Sequence, residues 1–169
     1  MYSIQNFAKW LNGRGVNGYK KFSKIIQIPN GEYVGFYVAN VSSSAIGTTT
    51  FYKILGVWSM EGALPRCNNS SSISIDVSVS KDGRVELVDI TVDEERQHIG
   101  IGSAGLSYLK EFLSFVVDGY TKIYGHMCPD EKTPEGYAKL AAFYRKNNFV
   151  VDDITNQMKS PPLCGALLL

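Results

Sequence analysis

Val85-Glu86-Leu87-Val88-Asp89-Ile90-Thr91-Val92-Asp93-Glu94-Glu95-Arg96-Gln97-His98-Ile99-Gly100-Ile101-Gly102-Ser103-Ala104-Gly105-Leu106 is the stretch that decides the fold. It opens as an alternating apolar strand, crosses a charged segment, turns on glycines and continues as a helix of apolar and small residues. Strand, turn and helix in that order describe an anion site. The first helical amides, from Ile99 to Ser103, have no carbonyl partner inside the helix and converge at the positive end of its dipole. A phosphate group fits there. Gly100 and Gly102 lack Cβ atoms, so a pyrophosphate can approach the backbone closely, and the Ser103 hydroxyl adds a donor.

Two phosphate-binding readings compete for this turn. Gly100-Ile101-Gly102-Ser103-Ala104-Gly105 spells the dinucleotide fingerprint G-x-G-x-x-G, which points to a nicotinamide-dependent oxidoreductase. That fingerprint requires a strand running directly into the first glycine and an acidic residue about 20 positions on, at the end of the next strand. Here Asp93 to Ile99 intervene, and the next strand reads Lys122-Ile123-Tyr124-Gly125-His126-Met127. A dinucleotide fold also needs serial βαβ units, whereas strand-rich sequence precedes this one.

Gln97-His98-Ile99-Gly100-Ile101-Gly102 resembles the Q/R-x-x-G-x-G/A signature of the GNAT superfamily of acyl-CoA-dependent N-acyltransferases. Phe143-Tyr144-Arg145-Lys146-Asn147-Asn148-Phe149 is similar to that family's Y-x-x-x-G-F helix end, with Asn148 where glycine is usual. Asparagine tolerates the left-handed conformation that ends helices. The resemblance covers roughly Ser72 to Val151. It implies an α/β (mixed α+β) fold: a twisted, mostly antiparallel sheet with a central parallel, splayed strand pair, flanked by helices. It further implies that Gln97, His98, Ile99, Gly100, Ile101, Gly102 and Ser103 hold the pyrophosphate of acetyl-CoA, and that Ile90 and Val92 offer backbone contacts to its pantetheine arm. Tyr144 matches the tyrosine that protonates the departing thiolate, and Glu86, eleven residues before Gln97, matches a glutamate general base. Asp89 and Asp93 are further carboxylates for that role. Many relatives carry an asparagine where this chain has Tyr137, which leaves that contact unfilled or passes it to Thr133. The activity implied is N-acetyl transfer from acetyl-CoA to a small-molecule or peptide amine by direct attack in a ternary complex, with a non-catalytic acyl-CoA-binding module or sensor as the alternative.

The remaining sequence fits one 169-residue unit, divided into an acceptor-side half (1–71), an acyl-CoA-binding core (72–151) and a C-terminal strand and tail (152–169). With 44% hydrophobic and 20% charged residues the composition is that of an ordinary globular chain, and a net charge of +1 gives no bulk electrostatic case for nucleic acid or membrane. No run of about 18 apolar residues and no signal-like start is present, so a cytoplasmic protein is expected. Cys67, Cys128 and Cys164 form no C-x-x-C pair and read as free buried thiols. His126 and Cys128 have no partners in ligand spacing, so no metal is expected.

Ser3 to Leu11 places Ile4, Phe7, Ala8 and Leu11 on one helical face before Asn12-Gly13. Lys24–Ile28, a Pro29-Asn30-Gly31 turn and Glu32–Ala39 predict a hairpin, Ser42 to Ser44 a loop, and Thr48–Trp58 a further strand. Ile73–Val79 and Arg84–Val92 flank an Asp82-Gly83 turn. Strict alternation along the second of these puts Glu86, Val88, Ile90 and Val92 on one face and Val85, Leu87, Asp89 and Thr91 on the other. A helix over Gly102–Val117, with Leu106, Leu109, Leu113 and Val116 inward, leads to a parallel strand over Thr121–Met127. Then follow a helix over Tyr137–Asn147 with Leu140, Ala141 and Tyr144 on one stripe, a strand over Val150–Ile154, and a last strand in the tail Met158–Leu169. The apolar tail and the strand edges are compatible with a homodimer.

Overall fold

The computed structural model describes residues 4–59, 71–118 and 122–161. Three helices, α1 (Ile4–Asn12), α2 (Ile101–Val116) and α3 (Pro134–Lys146), accompany eight strands: β1 (Lys24–Gln27), β2 (Tyr33–Ser43), β3 (Thr49–Ser59), β4 (Ile73–Ser80), β5 (Val85–Val92), β6 (Ile123–His126), β7 (Val150–Asp152) and β8 (Gln157–Lys159). All eight strands join one sheet in the order β1-β2-β3-β4-β5-β6-β8-β7, antiparallel except for the pair β5–β6. A dinucleotide fold needs a parallel sheet, so that reading of the glycine string does not survive. Among the described residues no helix is long and apolar enough to cross a membrane.

Local chemistry makes the turns. Gly31 and Gly83 adopt φ of +87° and +82° in the first and third hairpins, conformations open to glycine. In the second hairpin the Ser44 hydroxyl oxygen accepts from the amides of Thr48 and Thr49, so β2 continues through Ser43 where serine-rich composition predicts a loop. Tertiary pairing with β3 (Ser42↔Phe51, Ser43↔Thr50) overrides the weak strand propensity of serine.

The inner face of the sheet packs against α2. Val34, Phe36 and Val38, Tyr52 and Ile54, Ile73, Ile75 and Val77, then Val85 and Leu87 meet Leu106, Tyr108, Leu109, Phe112 and Leu113, all buried. Each such side chain contributes about 1.5–3 kcal/mol relative to exposure. Gly56 lies in this layer because a Cβ there would stand 2.4 Å from Ile73 Cγ2 and 2.8 Å from Phe36 Cε1. The outer face is covered at one side by α1, whose Phe7 and Leu11 occupy the space above Gly35, 2.7 Å and 3.1 Å from where its Cβ would lie. Ile4, expected on the same stripe, stays exposed.

Several boundaries differ from the sequence reading. Helix α3 begins at Pro134, with Thr133 as N-cap accepting from the Gly136 amide at 3.1 Å, a cap-then-proline start. Thr133 is thereby committed to the helix. The strand expected to reach Ile154 stops at Asp152, whose carboxylate accepts from the amides of Ile154 and Thr155 and turns the chain into β8. That last strand is Gln157–Lys159 and inserts between β6 and β7; the apolar end of the tail lies outside the described residues. Cys128 is exposed, not buried, while Cys67 and Cys164 lie outside the described residues.

Candidate acyl-CoA site

Strand β5 is where the strict alternation fails. Val77 pairs with Leu87 but Asp76 pairs with Asp89, so Val88 is an extra residue, a β-bulge. Val88 and Asp89 both point outward and are exposed, and beyond them Ile90 and Val92 turn to the inner face. Val92 Cγ2 lies 3.7 Å from where a Gly102 Cβ would be, which fixes that face as the α2 side. Glu86 therefore shares the outer face with Asp89 and Thr91, not with Ile90 and Val92.

A fork opens at the same point. Strand β6 pairs with β5 only at Val85↔Ile123, Glu86↔Tyr124 and Leu87↔Gly125. From Val88 onward β5 keeps β4 on one side and, among the described residues, has no strand on the other. Asp93 donates its amide to Ser72 of the neighbouring chain segment at 3.0 Å. Because backbone groups alternate sides along an antiparallel strand, Thr91 also faces β4, whereas Ile90 and Val92 face the fork. Gln97 Nε2 donates to the Val92 carbonyl at 3.3 Å and folds the following turn against this edge.

At the head of the fork the chain passes through a 3₁₀ turn (Glu94–Arg96) and then His98, at φ +66°, into Gly100, at φ +99°, which caps α2. The first helical hydrogen bond runs from the Ala104 amide to the Gly100 carbonyl. Among the described residues no protein oxygen accepts from the amides of Gly100, Ile101, Gly102 or Ser103. These are the orphan donors of a helix N-terminus. Ile101 is fully buried and offers only its amide, whereas Gln97 and His98 are exposed and Ile99 is half-buried.

Both glycines also answer to protein neighbours, which the sequence does not disclose. A Cβ on Gly100 would stand 2.8 Å from Pro29 Cδ, and one on Gly102 would stand 3.0 Å from the Phe143 ring. The β1–β2 turn thus walls one side of the helix start and α3 the other. Arg96 is held over the Trp58 ring at 3.6 Å, while Trp58 Nε1 donates to Glu32 at 2.8 Å. Neither contact has a local signal, because the partners lie far apart in sequence.

Tyr144 projects from α3 into the same region and is buried, ringed by Phe143 and Phe149. Burial, and secondarily the negative charge of Asp89, raise its phenol above the ordinary value. It stays protonated through neutral pH. The helix that carries it ends on Asn148 at φ +65°, with the Phe149 amide donating to the Tyr144 carbonyl at 3.0 Å. Glu86 is exposed on the outer face, one pair before the fork. Asp89, exposed just past the bulge, accepts from Thr91 Oγ1 at 2.9 Å.

No protein-family model matches the chain, and no curated protein matches it in sequence. Its arrangement of strands and helices is similar to that of several acetyltransferases of known structure. An N-acetyltransferase from Thermoplasma acidophilum, solved with coenzyme A, is 17% identical with a TM-score of 0.44, over 65% of this chain and 60% of its own length. A GNAT-family acetyltransferase from Staphylococcus aureus Mu50 gives 13% and 0.48, over 68% of each chain. Nourseothricin acetyltransferase gives 15% and 0.46, over 88% of this chain and 95% of its own. The likeness is one of strand and helix arrangement alone.

Proposed function

We propose that this protein transfers an acetyl group from acetyl-CoA to a primary amine by direct attack. The observation that carries the proposal is two groups of backbone amides, at Ile90 and Val92 and at Gly100 to Ser103, with no partner among the described residues. The fork edge of β5 at Ile90 and Val92 runs into the free amides of Gly100 to Ser103, so an extended amide-bearing chain ending in a pyrophosphate finds donors along its length. Pantetheine and pyrophosphate have that order.

The chemistry then divides across the sheet. The backbone N–H of Ile90 faces the fork and is suited to hold the developing oxyanion. Tyr144, buried on the inner side, is the proton donor to the leaving thiolate. Its raised pKa weakens it as an acid, but the same desolvation raises the proton affinity of a thiolate beside it. On the outer side Glu86 stands exposed, positioned to draw in an ammonium. Gln97, His98 and Ile99 shape the turn, and Ser103 adds its hydroxyl to the anion site.

Calorimetric titration with acetyl-CoA and NADH in parallel, on the wild type and Ser103→Asp, tests the site. An added carboxylate at a helix N-terminus favours the free protein by about 0.3–1 kcal/mol yet repels a pyrophosphate. Expected are binding of acetyl-CoA but not NADH, a loss of at least about tenfold in Ser103→Asp, equal to about 1.4 kcal/mol, and an undiminished melting temperature. Failure of the wild type to bind acetyl-CoA overturns the proposal. Tyr144→Phe is expected to keep acetyl-CoA affinity and lose about 10²-fold in kcat.

A further inference from the structure

The outer lip of the fork holds a group to which the sequence gives no role. His126 is the last residue of β6 and follows Gly125, the last to pair with β5. Ile123, Gly125 and Met127 are buried inward, so Tyr124 and His126 point outward onto the face that carries Glu86. Glu86 is the register partner of Tyr124. With strands about 4.8 Å apart and a rise of about 3.3 Å per residue, His126 stands about 8 Å, Cα to Cα, from Glu86 on that face. Across the gap the bulge turns Val88 and Asp89 outward as well. Arg84, whose guanidinium lies 5.3 Å from the Tyr124 ring centroid, and Gln157 and Lys159 of β8 complete the surroundings. Among the described residues no hydrogen bond engages the imidazole, which is exposed.

We infer that His126 is the catalytic base that takes the proton of the acceptor ammonium, while Glu86 and Asp89 hold that ammonium at the outer mouth of the fork. The inference rests on the acetyl-transfer reading. Carboxylates as a class lie about six pKa units below an alkylammonium, and imidazoles about two units nearer, so proton transfer to imidazole is the less uphill. The ammonium gives one proton to His126, which passes it to solvent. The neutral nitrogen attacks the thioester carbon, an N–C bond forms, and the C–S bond breaks as the tetrahedral intermediate collapses. Tyr144 protonates the thiolate, and the second nitrogen proton, released in the collapse, restores the phenol through solvent. The products are amide, free thiol and one proton. Base and acid lie on opposite faces of the sheet, so the amine enters from one side and the thiol leaves on the other.

The test compares two acceptors at pH 7 by release of free CoA: benzylamine, largely an ammonium, and aniline, already neutral. His126→Asn is expected to lower kcat/KM about 10²-fold for benzylamine and less than about threefold for aniline, with acetyl-CoA affinity unchanged by calorimetry. Added imidazole is expected to restore benzylamine turnover to His126→Ala. Equal losses for both amines, or none, overturn the inference. Selective loss in Glu86→Gln but not in His126→Asn moves the base to Glu86 and leaves acetyl transfer standing. Wild-type protein that binds acetyl-CoA but acetylates neither amine overturns the acetyl-transfer reading itself.

Discussion

Strand β5 contains two regions of similar composition and opposite fate. Val85 to Leu87 is flanked by strands on both sides, with Val85 and Leu87 fully packed beneath α2. Among the described residues Val88 to Val92 is flanked by a strand on one side only, and the amides of Ile90 and Val92 face the fork. The first region holds the sheet together and the second offers the edge proposed for acetyl-CoA. A backbone group satisfied within the sheet is unavailable to a ligand, so a strand that binds along its edge must leave pairing unfinished. One inserted residue, Val88, divides the two.

The largest test of this contrast is a pair of adjacent truncations. Leu87→Ala removes a fully packed side chain and is expected to cost about 2–5 kcal/mol of stability. Val88→Ala, at an exposed bulge position, is expected to stay within about 0.5 kcal/mol. Urea midpoints of the two variants measure this, and similar losses would mean that the bulge residue is part of the core.

Deleting Val88 sharpens the comparison. It leaves Leu87, Ile90 and Val92 on their present face, because the bulge places two successive residues outward. The core is expected to survive with a loss of about 1–2 kcal/mol, while the straightened strand narrows the fork. Acetyl-CoA affinity is then expected to fall at least about tenfold. Unchanged affinity in a folded deletion variant would show that the bulge does not set the fork.

A smaller effect comes from the closed half of the sheet. Burial first, then a hydrogen bond and charge interaction with Tyr19, push the Tyr52 phenol up to about 12. An unfolded tyrosine ionises near 10, so the folded state holds its proton longer. This contribution to stability is complete below about pH 10 and is lost as pH rises toward 12. Buried Tyr108 and Tyr144 act in the same direction. Tyr52→Phe is expected to lessen the decline in urea midpoint between pH 9 and pH 11; an unaltered slope would remove Tyr52 from the account.

Much of this arrangement is local enough to read from the sequence. The Asp82-Gly83 turn, the passage through glycines into α2, the single crossover to a parallel β6 and the left-handed Asn148 each depend on residues close in the chain, whose backbone preferences and hydrophobic period are intrinsic. Sequence alone determined these elements and the glycine-rich start of α2 with its free amides. It did not determine the faces of β5, because a bulge is defined by the count of residues on a neighbouring strand, and Asp76 and Val77 make that count. Nor did it bring Pro29 against Gly100, hold Arg96 over Trp58, or set His126, Glu86 and Asp89 around one opening. Those placements join residues from different strands and turns, and only the packing of the whole sheet against α2 brings them together.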